Sequence, residues 1–122
     1  MQRPVLEESR IHPAIRDKVG AADATLAEVQ SAIASNDVVV VGMKQNPHPK
    51  RARAALNDKG VPFQYLEYGS YFGDWRKRLT LKLWTGWPTF PMVFVKGVFV
   101  GGADEVKKLI DSGELDTLLK AN

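Results

Sequence analysis

Four consecutive valines, Val38 to Val41, lie between Asp37 and Gly42. Their β-branched side chains favour extended backbone, and an unbroken apolar run lacks the alternation of a strand with one wet face. The run therefore predicts a strand buried on both faces, at the centre of a mixed or parallel sheet. The rest of the chain must supply two layers to cover it.

The flanking patterns supply them. Leu26, Val29 and Ile33 recur at helical spacing behind the capping candidates Asp23 and Thr25, which predicts a helix over residues 25–35. After the valines, Asn46-Pro47 reads as a helix start, because asparagine caps free amides and proline at the first helical position gives up no hydrogen bond. That helix runs to residue 57 or 59 and stops at Gly60. Residues 63–67 predict a second strand, and 71–84 a helix whose Trp75, Leu79 and Leu83, four apart, form a core-facing stripe. Residues 92–96 and 98–100, split by Gly97, read as an antiparallel hairpin, followed by helices at 103–110 and 114–120. Residues 1–24 form a partly ordered N-terminal extension with a short helix at 13–19, and residues 25–122 form the domain. This order of parallel strands, terminal hairpin and flanking helices is a thioredoxin-like α/β sandwich around a four-stranded mixed sheet.

A length of 122 residues fits one domain. The absence of cysteine excludes intrachain disulfides, thiolate-bound metals, cysteine-ligated iron-sulfur clusters and any thiol nucleophile. No stretch approaches the roughly 18 apolar residues of a membrane span, so no membrane partner is expected. The first residues lack a secretory pattern, which points to the cytoplasm. The net charge of +3 is spread among alternating acids and bases, not gathered into a tract. Tryptophans and tyrosines near Arg76, Lys77 and Arg78 are read as core residues rather than base-stacking ones, so nucleic acid is not the expected partner. With only His12 and His48 and no cysteine, no metal is expected.

Two stretches resemble glutaredoxins. Trp87-Pro88-Thr89-Phe90-Pro91, followed by Gly101-Gly102-Ala103-Asp104, is similar to the Trp-Pro-Thr-x-Pro and Gly-Gly-x-Asp signature of the monothiol class. Residues 38–52 resemble the strand, loop and helix start that carry the active-site cysteines. The similarity extends from about residue 25 to the C-terminus. Aligning Lys50-Arg51-Ala52 with the basic-alanine sequence after the second cysteine of dithiol members puts Asn46-Pro47-His48-Pro49 on Cys-Pro-Tyr-Cys. Asn46 and Pro49 thus stand where the resemblance places the two sulfurs, in a dithiol-like loop joined to a monothiol-like C-terminal half.

The resemblance implies a glutathione site with its nucleophile removed. The residue before the cis-proline would pair with the cysteinyl unit, here Phe90 before Pro91, and the turn Gly102, Ala103 and Asp104 would meet the γ-glutamyl end. Arg78 and Lys82 would meet the glycine carboxylate, with Lys44, Asn46 and His48 around the sulfur. A non-catalytic adaptor or sensor in redox or iron-sulfur homeostasis, binding glutathione or protein, is the leading expectation. Two others stand beside it: an enzyme that uses the thiol of bound glutathione, and an interaction module whose basic face binds an acidic protein. On the residues alone, Asn46 is also simply a helix cap and Asp104 the cap of the last long helix. Lys50, Arg51 and Arg53 put cations in the first turns of a helix, against its dipole, which calls for an anion or an acidic partner nearby.

Overall fold

The computed structural model describes residues 10, 12–14, 23–69 and 74–120. The helix expected over 13–19 lies mostly outside the described residues, as does the start of the one expected from 71. Among the described residues nine elements follow in order: α1 (Asp23–Ser35), β1 (Val38–Gly42), α2 (Pro47–Lys59), β2 (Gln64–Glu67), α3 (Trp75–Thr85), β3 (Met92–Val95), β4 (Val98–Gly101), α4 (Ala103–Ser112) and α5 (Glu114–Lys120). The strands form one mixed sheet in the order β2-β1-β3-β4. β1 runs parallel to β2 and antiparallel to β3, and β3 pairs antiparallel with β4.

The valine run is the central strand, and all four valines are buried. Successive side chains leave a strand on opposite faces, so the run serves two cores at once. Val39 and Val41 join Met92, Phe94, Val29 of α1 and Leu81 of α3. Val38 and Val40 join Val93, Val95, Ala52 and Leu56 of α2, and Val106 of α4. β3 repeats the same division one strand over, which explains why Met92–Val95 is also buried throughout.

Two expectations need correction. α1 begins at Asp23, two residues before the expected start. More significantly, α3 is rotated from its predicted face: Trp75 and Leu83 are 54% and 59% exposed, while Arg78, Thr80 and Leu81 are buried and Trp84 packs against the core. Spacing of four fitted two stripes on this helix. The burial of Arg78 follows from a hydrogen bond that a hydropathy pattern does not register, since its Nη1 donates to the Tyr68 carbonyl at 3.2 Å. No described helix is long and apolar enough to cross a membrane.

Candidate functional site at the start of the second helix

β1 ends in Gly42, and the chain must pass close beneath α2. A Cβ on Gly42 would lie 2.7 Å from the Pro49 Cβ and 2.8 Å from the Tyr65 hydroxyl, so only glycine fits. Beyond it, the Lys44 amide donates to the Gly69 carbonyl at 2.7 Å, and Gln45 takes φ 64° to turn the chain into the helix. Asn46 is the N-cap, with Oδ1 accepting from the His48 amide at 2.9 Å.

That bond fixes what the helix start can offer chemically. A helix leaves four amide positions without internal partners, here 46–49. Pro47 and Pro49 carry no N–H, and Asn46 uses the one on His48. Three of the four donors that would stabilise an anion, including a thiolate, are therefore removed or committed. Asn46 satisfies the position with a neutral oxygen, and nothing there can form a mixed disulfide.

The segment facing Asn46 is the Phe90–Pro91 peptide, which is cis. Asn46 Nδ2 donates to the Phe90 carbonyl at 3.5 Å, linking the α2 start to the entry of β3. Phe90 is buried, and Lys82 Nζ reaches over its ring at 5.7 Å. Gly102 begins α4, its amide donating to Glu105 Oε1 at 2.9 Å. Capping at α4 thus belongs to Gly102 and Glu105, and Asp104 is released from the role expected of it. The indole Nε1 of Trp87 is buried without a hydrogen-bond partner, and a Cβ on Gly102 would lie 3.7 Å from it.

Asp104 instead accepts from Arg51 Nη1 at 3.3 Å, and Arg51 Nη2 lies 2.6 Å from His48 Nδ1. The carboxylate is 72% exposed and the guanidinium 50%. Arg53, two residues further on, lies over the Tyr65 ring at 3.9 Å. Burial and then the bond to Glu67, at 3.1 Å, push the Tyr65 phenol up to about 12. Burial, followed by a hydrogen bond to Glu28, also raises Tyr68.

Among the expected site residues, the fold brings Asn46, Lys82, Phe90 and Pro91 together, and it joins His48 to Asp104 through Arg51. Lys44 is exposed on the loop before them, and Pro49 is buried. Ala103 is buried in the core shared with α2, leaving its backbone as the part at the turn. Arg78 is buried and braces the chain after β2. Arg51 was absent from the expected set. Its signal was a cation near a helix start with no acidic neighbour, and the acid that answers it lies 53 residues away. Among the described residues, no group of three histidine or acidic side chains could hold a metal ion.

The glutaredoxin family profile matches residues 38–100, from the first residue of β1 into β4. The chain belongs to the glutaredoxin family. It is 50% identical over 93 residues to a glutaredoxin-like protein of Dictyostelium discoideum, spanning 76% of each chain. It is 38% identical over 97 residues to a protein named "Probable monothiol glutaredoxin 2" of Rickettsia prowazekii, covering 75% of this chain and 88% of that one. Among solved structures, a buckwheat glutaredoxin-glutathione complex superposes with a TM-score of 0.68 at 26% identity, over 80% of this chain and 88% of the other. In this glutaredoxin, Asn46 and Pro49 fall inside the matched span, so the missing sulfurs are a feature of the domain itself.

Proposed function

We propose that this glutaredoxin-family protein binds glutathione without thiol chemistry and acts as a non-catalytic adaptor or sensor in redox or iron-sulfur homeostasis. The observation that carries the reading is the cis Phe90–Pro91 peptide held opposite a helix start that Asn46 caps without charge. Backbone beside the cis-proline would pair with the cysteinyl unit of a peptide, and Lys82 stands over Phe90 for a terminal carboxylate, with Lys44 and Arg78 as further candidates. Asp104 is exposed for the γ-glutamyl ammonium, Gly102 and Ala103 supply the turn, and His48 and Asn46 flank the sulfur. Arg51 must yield Asp104 to that ammonium. The solved glutaredoxin-glutathione relative supports the same ligand.

Titrating reduced glutathione into isotope-labelled protein tests the reading. Saturable amide shifts confined to residues 46–50, 90 and 102–104 are expected. No shift up to about 1 mM, a binding energy near 4 kcal/mol, refutes it. Asn46→Cys adds an independent measure: with the ligand site present, a thiol at this position should acquire glutathione-dependent reduction of a mixed disulfide that the parent protein lacks.

A second reading, an enzyme using the thiol of bound glutathione, draws on Asn46 Nδ2, a donor that faces the Phe90 carbonyl. The depleted helix start weighs against it, because little remains to lower the thiol pKa. Conjugation of a generic electrophile above background, lost in Asn46→Ala, would favour this reading over the first.

A further inference from the structure

His48, Arg51 and Asp104 form a line of three polar side chains across the junction of α2 and α4. Arg51 Nη2 lies 2.6 Å from His48 Nδ1, one turn back on the same face of α2, and Nη1 donates to Asp104 Oδ1 at 3.3 Å. A guanidinium has donors only, so the imidazole nitrogen is the acceptor and steadies one arm of the fork while the other reaches α4. Both partners of the ion pair are open to water, with 72% of the Asp104 side chain and 50% of that of Arg51 exposed. A pair of this kind contributes little to folding, so a ligand exchanges it at small cost.

What can exchange it is chemically narrow. A ligand that brings only an ammonium to Asp104 leaves the guanidinium beside it without a counter-charge. One that brings only a carboxylate to Arg51 does the same to Asp104. A ligand with both charges on one carbon satisfies both side chains, turning one ion pair into two. An α-amino-acid head is such a group, and the γ-glutamyl end of glutathione carries one. We infer that Arg51 is a specificity residue of this site, taking the α-carboxylate of a γ-glutamyl head while Asp104 takes the ammonium, with His48 positioning the guanidinium. The inference rests on the reading of the site as one for glutathione and adds the class of ligand selected, a zwitterionic head rather than any amine. The rival for the carboxylate is backbone: the Ala103 and Asp104 amides begin α4 and have no partner within it, whereas the Gly102 amide is taken by Glu105.

Three peptides separate these roles through amide shifts in the labelled full chain. One is glutathione, one carries 4-aminobutyryl for γ-glutamyl and so lacks only the α-carboxylate, and one carries glutaryl and lacks only the ammonium. In the parent protein each truncation should weaken binding about tenfold, as expected for one partly exposed charge-assisted hydrogen bond. Arg51→Ala should weaken glutathione by a similar factor and shrink the penalty for losing the carboxylate to less than about threefold, with the ammonium penalty left in place. Arg51→Lys, which keeps the charge without the fork, should recover part of the loss. Asp104→Asn should give the mirror result. His48→Ala should weaken glutathione about threefold more than it weakens the aminobutyryl peptide, because only the carboxylate meets the fork. All three side chains are exposed, so the variants should fold as the parent does. Two results overturn the inference alone. Glutathione bound by Arg51→Ala as tightly as by the parent, or tighter, makes Arg51 a competitor for Asp104. A carboxylate penalty that is the same with and without Arg51 assigns the carboxylate to the α4 amides. Absence of shifts with all three peptides up to about 1 mM refutes the glutathione reading itself, and this inference with it.

Discussion

α2 and α3 both approach the cis-proline segment and both are rich in cations, yet the fold disposes of them in opposite ways. α2 gives two of its cations partners on other elements: Arg51 pairs with Asp104, and Arg53 lies over the Tyr65 ring. It is capped at both ends, by Asn46 and by Gly60 in left-handed conformation, and buries Pro49, Ala52 and Leu56. α3 starts at Asp74, which sits at φ 57° and makes no side-chain cap bond, and it leaves an apolar stripe in solvent. The place where the resemblance puts the thiols has therefore been rebuilt as a settled helix start. The neighbouring helix carries surface that its own domain does not use. Loss of a nucleophile did not require loss of order, and apolar periodicity alone does not say whose core it serves.

Substitution should break this symmetry most visibly in the side chains that each helix buries or shows. Leu56 is fully buried between α2 and the sheet, so Leu56→Ala should cost about 2–5 kcal/mol. Leu83→Ala, on the outer face of α3, should stay within roughly 0.5 kcal/mol. Urea unfolding with equal m-values measures both. A comparable loss in Leu83→Ala would mean that the stripe is packed in the free protein, and the contrast between the helices would fail.

The helix starts give a smaller difference. Asn46→Ala strands the His48 amide and should cost about 1 kcal/mol, whereas Asn46→Asp keeps an acceptor and should recover most of it. At the start of α3 the sign reverses. A non-glycine residue in the left-handed region is strained by roughly 1 kcal/mol, so Asp74→Gly should raise stability, by about 0.5 kcal/mol once the 3.7 Å contact with Lys77 is lost. Thermal unfolding of the three variants in one buffer decides the matter. Equal losses at both starts would show that α3 is capped as firmly as α2.

What could be read beforehand was local. The valine run announced a strand buried on both faces, Asn46-Pro47 and Gly60 marked both ends of α2, and the residues flanking Gly97 formed the expected hairpin. The cap at Asn46 was visible because it joins residues two apart. Rotation of α3 was not, since it depends on a guanidinium finding a backbone carbonyl ten residues away, and hydropathy scores arginine as outward by default. Nor was the His48–Arg51–Asp104 chain, whose last link closes only when α2 and α4 pack side by side. Residues contributed by one short segment could be assigned roles, and residues meeting across elements could not.

Arg51 supplies the smallest expected effect and the closest test of how α2 manages its charge. Its pair with Asp104 is half to three-quarters exposed, and exposed pairs are screened and entropically expensive to hold. Arg51→Ala should therefore change stability by less than about 0.5 kcal/mol, and less again at high salt. A measured loss above about 1 kcal/mol would mean that the contact with Asp104 pins α2 to α4 beyond simple ion pairing. The pairing of charge on α2 would then be structural in origin.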